Sequence, residues 1–340
     1  MHNIAEMPDR IATFLLEETG RSATVVNYEP MSGGYSRLMA RADIVWDDGT
    51  SEHVVLRGDP PPGKAMVETD RALEWRLLST LTAAAQVSMP AARWFDASGD
   101  RLGTTAIVID FCAGSNLQRI LNDADPADLE QHALDLATAM GRLHSTDVSS
   151  VSAILATPES SADRLNQMIT SLRTIEDAAL EAEPIVRYAA GYLAANPPPP
   201  APLTIVHGDF QPANIIVEAD GSYSVVDWEF CRIGDPREDL AYYVNYASAL
   251  GPDLYRHDPE AFLARYREVT GFSEEAINPA TVDYFTPFAS APIWGSILAG
   301  AGAMAKGTNS GLMTTYTLNA LTFGRGVFLN VCNEFDRGAN

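Results

Sequence analysis

Two periods of apolar and polar positions alternate along this chain, and the change from one to the other divides it. Over residues 4–20 the apolar positions recur at helical spacing and the run stops at Gly20, which predicts a short amphipathic helix. A strand-rich region begins at residues 23–28. Residues 37–46 alternate apolar and polar side chains, Asp47-Asp48-Gly49-Thr50 is a hairpin turn, and residues 53–57 form the returning strand. Pro60-Pro61-Pro62-Gly63 breaks the chain. Helical spacing resumes over residues 67–81, with Leu73, Leu77, Leu78 and Leu81 on one side. Residues 92–95 and 105–111 read as two more strands. Residues 1–112 are therefore expected to form a small antiparallel sheet with one long helix.

The remainder, residues 113–340, reads as mainly helical. Residues 128–144 are clearly amphipathic, and residues 161–195 give one or two further helices. Asn196 and four prolines make a stiff spacer. Short β-branched runs come next, at 203–206 and 214–217, the second pairing with 223–226 across Asp220-Gly221. Residues 240–250, 259–269 and the apolar stretch 281–333 complete a helical lobe. Residues 284–305 carry no charge, a length that could span a bilayer. Pro287, Pro292, Gly295, Gly300 and Gly302 interrupt them, and no basic cluster flanks them, so a buried helix and no membrane contact are expected.

Charge narrows the function classes. There are 23 basic and 45 acidic residues, a net charge of −22. Such a surface repels nucleic acid and anionic lipid; it suits a cationic substrate or a plain solvated exterior. Cys112, Cys231 and Cys332 are far apart and form no Cys-x-x-Cys, which argues against zinc clusters and disulfide frameworks and fits a reducing cytoplasm. The first residues lack a basic patch followed by an apolar run, so no signal peptide is expected.

The chemistry concentrates in Ile205-Val206-His207-Gly208-Asp209-Phe210-Gln211-Pro212-Ala213-Asn214-Ile215 and, after one more strand, Asp227-Trp228-Glu229. Phosphoryl transfer needs a carboxylate to orient or deprotonate the attacking hydroxyl, and hard oxygen ligands to hold magnesium against phosphates. Asp209 suits the first role; Asn214 and Asp227 suit the second. Each alone is an ordinary turn former. His-x-Asp, four residues, Asn, then a hairpin delivering Asp is the catalytic order of protein kinases, with Gly208 where they carry Arg.

Upstream elements come in matching order. Ser32-Gly33-Gly34-Tyr35-Ser36 lies between two strands, where glycine amides and the hydroxyls of Ser32 and Ser36 would reach phosphates; a plain hairpin turn reads equally well. Arg57 ends the strand that delivers a phosphate-pairing lysine in kinases, and Glu74 on the long helix is its expected partner, unless it is simply a surface acid. Backbone groups at Asp110, Phe111 and Cys112 would meet a nucleobase edge.

With His207-Gly208-Asp209-Phe210, Asn214, Asp227-Trp228-Glu229 and Gly234-Asp235-Pro236-Arg237-Glu238-Asp239-Leu240-Ala241, the chain resembles the aminoglycoside phosphotransferase and choline kinase-like family from about residue 25 onward. Leu56-Arg57 before the proline run is similar to a branch that includes the kinase-like domain fused to some acyl-CoA dehydrogenases, a branch associated with hydroxyacyl-CoA phosphorylation. The resemblance implies an α+β, bilobal protein-kinase-like fold, with an N-lobe at 1–112 and a helical C-lobe at 113–340. It implies ATP or GTP bound between lobes, Mg2+, and a small-molecule hydroxyl substrate that is aminoglycoside-like, choline-like or hydroxyacyl-type. It implies that Asp239 supports the catalytic loop and that His144 is structural. A monomer or homodimer is expected. Two other classes compete: a catalytically silent nucleotide-binding module, motivated by Arg57, and a metal hydrolase. The hydrolase would need more histidines near His207 than the six in the chain supply. Trp228, Tyr242, Tyr243, Tyr246, Tyr284 and Trp294 could form a cage for an amine or could be core.

Overall fold

The computed structural model describes residues 4–31, 38–59, 70–178, 184–195, 197–250 and 252–289, with isolated positions between 298 and 307. It has two compact units, one of Met1–Ala83 with Met89–Ala113 and one of Ala84–Ser88 with Gly114–Asn340. The chain passes from one unit to the other at 113/114, and residues 84–88 group with the second unit. The reason is hydrogen bonding. Gln86 donates its amide to Thr146 Oγ1 and its Nε2 to Ser145 O, and Ser88 O accepts the Val225 amide at 2.8 Å.

The first unit opens with α1 (Met7–Thr19), entered through a short 3-10 turn and closed by Gly20, whose φ of 69° lets its amide reach Leu16 O. The strands β1 (Ala23–Pro30), β2 (Leu38–Trp46), β3 (Ser51–Gly58), β4 (Ala92–Asp96) and β5 (Ala106–Asp110) form an antiparallel sheet of order β1-β2-β3-β5-β4, and α2 spans Arg71–Ala84. Met7, Ile11, Phe14 and Leu15 share one face of α1 and pack on Ala42, Ile44, Trp46, Val54, Leu56 and Val108. Strand side chains alternate, so Leu56 faces α1 and Arg57 faces the opposite side, where Glu74 of α2 meets it.

The second unit carries two small sheets and a set of helices. The strands are β6 (Gly114–Asn116), β7 (Thr204–Val206), β8 (Ile215–Glu218), β9 (Tyr223–Val225) and β10 (Arg232–Gly234). They pair as β6-β8-β9 and β10-β7, all antiparallel. The helices are α3 (Leu117–Asp123), α4 (Leu129–His144), α5 (Ser161–Ala178), α6 (Pro184–Ala195), α7 (Arg237–Leu250), α8 (Leu254–His257), α9 (Pro259–Thr270) and α10 (Pro279–Ala289). Among the described residues no helix is long and apolar enough to cross a membrane. Residues 284–289 of the uncharged stretch lie in α10; residues 290–305 lie mostly outside the described residues.

The start of α7 is unusual for its buried charge. Asp235, Arg237, Glu238 and Asp239 are all at most 2% exposed. Arg237 forms a bidentate pair with Asp235 and donates to Pro199 O and Ala276 O. Glu238 takes Arg164 through both oxygens, at 2.7 and 2.6 Å, and Arg232 at 2.8 Å. Burial alone would raise the Glu238 carboxyl, but the two guanidiniums outweigh it and hold it below the ordinary glutamate value.

Glu238→Gln leaves two guanidiniums facing a neutral amide and is expected to cost about 3 kcal/mol in urea unfolding. The sign with pH comes from the depressed folded value. The contribution is complete above the unfolded glutamate value of about 4.3 and fades as pH falls toward the lower folded one. The variant's unfolding curve should therefore lack that part of the acid limb.

Candidate active site

The loop that carries His207, Gly208 and Asp209 leaves β7 at Val206 and is folded by one carboxylate from α7. Asp239 Oδ2 accepts the His207 amide at 2.7 Å, and Oδ1 accepts the Gly208 amide at 2.8 Å. His144 Nε2, at the end of α4, donates to the same Oδ2 at 3.1 Å, and its Nδ1 faces the Tyr266 hydroxyl at 2.7 Å. Burial would raise the Asp239 carboxyl; its bond from His144 and the nearby His207 and Arg232 pull it below the usual aspartate value. His144 is structural in this arrangement.

Gly208 has a φ of +85°, and a Cβ there would stand 2.4 Å from Arg232 Nη1 and 2.6 Å from Phe230 O. Both conformation and space therefore demand glycine where protein kinases carry arginine. His207 is fully buried. Its Nε2 donates to Val226 O at 3.0 Å and its Nδ1 accepts the Asp209 amide at 3.2 Å, with Trp228 4.9 Å away, ring centre to ring centre. It braces the loop from within the core.

Asp209 is the most heavily dressed side chain of the loop. Oδ1 accepts from the Tyr242 hydroxyl and from Gln211 Nε2, the latter at 2.7 Å. Oδ2 accepts from Asn214 Nδ2 at 2.7 Å. Burial lifts the Asp209 carboxyl above its ordinary value; Tyr242, His207 and Asn214 oppose the rise, and the charge of Asp227 adds to it. The two aspartates are thus close enough to feel each other.

Asn214 also donates Nδ2 to Asp209 O at 2.9 Å, which turns its amide oxygen away from that carboxylate. Its own carbonyl accepts the Val226 amide at 2.9 Å. With Val226 O bound by His207, the residue preceding Asp227 is tied on both sides to the loop. Asp227 has a φ of +68°, alone among the described non-glycine residues in being positive. Such a conformation costs on the order of 1 kcal/mol and persists only where the surroundings impose it. Asn214 and Asp227 offer hard oxygen donors. Among the described residues no cluster of three or more His, Cys, Asp or Glu side chains could hold a metal. That donor set fits magnesium, which takes one or two protein oxygens and completes its shell with phosphates and water. It does not fit zinc.

In the first unit, Arg57 and Glu74 pair at 3.1 Å and are 3% and 4% exposed. Arg71, not anticipated from the sequence, binds the other oxygen of Glu74 and grips Asp59 through Nε and Nη2 at 3.1 and 2.9 Å. Asp110 and Phe111 spend their amides on Ala91 O and His53 O, and Phe111 lies under the Arg41 guanidinium. Cys112 comes directly after and is half-buried. Ser32, Gly33, Gly34 and Ser36 lie outside the described residues, as does Trp294. Tyr242 and Tyr243 are buried, and Trp228 is 1% exposed, so these members of the suggested aromatic cage are core or loop supports.

The sequence reading missed Tyr242 as an Asp209 partner, along with Gln211 and Arg71. Spacing held a signal for two of them: Tyr242 lies three residues after Asp239, and Arg71 three before Glu74, each pair on one helix face.

Several known proteins resemble this chain. A mouse acyl-CoA dehydrogenase family member 10 is 27% identical over 191 residues, 53% of this chain. This chain spans only 17% of that relative's length. A macrolide 2'-phosphotransferase from Brachybacterium faecium superposes with a TM-score of 0.63 at 22% identity, over 93% of this chain and 98% of the other. The GDP complex of an aminoglycoside 2'-phosphotransferase-IIIa mutant gives 0.63 at 15% identity, over 96% and 98%. These structures share the fold. The family model described as the phosphotransferase enzyme family matches residues 28–274, which include Arg57, Glu74, Asp209, Asn214, Asp227 and Asp239, and the chain belongs to that family.

Proposed function

We propose that this chain is a small-molecule kinase that moves the terminal phosphoryl group of ATP or GTP, with Mg2+, to a hydroxyl. One observation carries the reading. Asp209 is held by Asn214, Gln211 and Tyr242 in a loop whose fold Asp239 fixes, with Asp227 beside it in a strained conformation. A neutral packing role would need none of this.

Asn214 and Asp227 would hold magnesium through their side-chain oxygens, and the ion when bound would neutralise charge on the phosphates. Asp209 orients the acceptor hydroxyl and takes its proton. As the acceptor oxygen bonds to the terminal phosphorus, the bond from phosphorus to the bridging oxygen breaks, and a nucleoside diphosphate leaves. Arg57, steadied by Glu74, would bind phosphate oxygens. Acceptors to be tried are aminoglycosides, choline-like amines and hydroxyacyl-CoA thioesters. The last is supported by the acyl-CoA dehydrogenase relative, the first two by the net charge of −22.

The direct test combines ATP or GTP, Mg2+ and each acceptor, and weighs the products by mass spectrometry. A phosphorylated acceptor with stoichiometric nucleoside diphosphate is expected, and none across the panel would count against the reading. Asp209→Asn should lower kcat by at least about a thousandfold with nucleotide affinity near wild type, because positioning and charge supply most of this catalysis. Arg57→Met should instead raise the nucleotide KM by about tenfold or more and change kcat less, as initial-rate kinetics would show.

A further inference from the structure

The contacts around Asp209 distribute unevenly between its two oxygens. A carboxylate offers about four lone-pair positions, two on each oxygen. Among the described residues, Oδ1 takes two donors, Tyr242 and Gln211, while Oδ2 takes one, Asn214. Oδ1 is thereby saturated, and Oδ2 keeps capacity for one more hydrogen.

Tyr242 is well placed to enforce this. It is 6% exposed, so its ring is fixed by packing and its hydroxyl has little freedom. It stands three residues after Asp239 on α7, on the same face of the helix. Asp239 sets the backbone of His207 and Gly208, and Tyr242 sets the carboxylate of the next residue. One rigid helix therefore locates both the loop and the plane of its reactive group. Gln211 cannot do the same, because it belongs to the loop and moves with it.

We propose that Tyr242 is a positioning residue whose hydroxyl fixes the Asp209 carboxylate so that Oδ2, and not Oδ1, meets the acceptor hydroxyl. This rests on the phosphotransferase reading. The proton released as the acceptor oxygen attacks then goes to Oδ2. Acceptors must approach from the side of that oxygen, the side shared with Asn214.

Tyr242→Phe keeps the ring and deletes the hydroxyl. With the acceptor found in the panel, kcat is expected to fall about 10- to 100-fold, the scale of a misplaced reacting group, with nucleotide KM unchanged. In an Asp209→Asn background the same substitution should be silent, since Tyr242 acts through that carboxylate. An equal fall in both backgrounds, or full activity of Tyr242→Phe, overturns the proposal. Crystal structures of wild type and Tyr242→Phe decide independently of any acceptor. The Asp209 carboxylate should be turned from its wild-type plane while Asp239 still binds the His207 and Gly208 amides; an unmoved carboxylate overturns the proposal. A wild-type protein that phosphorylates nothing in the panel would instead count against the kinase reading, and the two structures would still report on Tyr242.

Discussion

The Asp239 carboxylate, fully buried, is the interaction on which the second unit's chemistry depends. It accepts two consecutive backbone amides of the loop and one imidazole N–H. Taking a charge out of water costs several kcal/mol, and three donors aimed at two oxygens recover it. The cost also works as specification. Any loop conformation that turns the His207 or Gly208 amide away leaves a buried charge short of a partner. The loop is thus held by the penalty on its alternatives, and Asp209 inherits a defined origin. His144 and Tyr266 extend the same chain of bonds into α4 and α9, so the loop is registered against two more helices.

Local features were legible in the sequence and distant ones were not. The strands of the first sheet announced themselves by alternation and by the Asp47-Asp48-Gly49-Thr50 turn, and the structure has them within a few residues. The order His207, Asp209, Asn214, Asp227 was readable because these residues lie on one loop and one hairpin. The strands β6 and β10 are three residues each, too short to show a period, and exist because Val217 and Ile205 offer edges to pair with. Tyr242 was hidden for a different reason. Among Tyr243, Tyr246 and other apolar helix positions it reads as core, and its hydroxyl has meaning only once α7 is laid beside the loop. Residues 84–88 carry no pattern at all; their allegiance comes from Ser145, Thr146 and Val225.

The acidic balance of the chain also looks different once burial is known. Arg57, Arg71 and Arg237 are nearly wholly buried, and Arg164 and Arg232 are committed to Glu238. These five of the 23 basic residues are spent on pairs with the buried Glu74, Asp235 and Glu238. Arginine suits this use because its planar fork binds carboxylates through two parallel bonds, which a lysine cannot do.

Glu74 is gripped from both sides. Arg57 reaches one oxygen and Arg71 the other, and Arg71 is itself anchored to Asp59 just past β3. Many kinases switch off by swinging the equivalent helix so that its acid abandons the phosphate-binding cation. Here Arg71 rides on α2 with Glu74, so the same swing would part Glu74 from Arg57 and Arg71 from Asp59 while the Arg71–Glu74 pair travels with the helix. Two ion pairs therefore tie α2 to β3 and to Asp59 just beyond it, and a rotation of the helix in the first unit breaks both together.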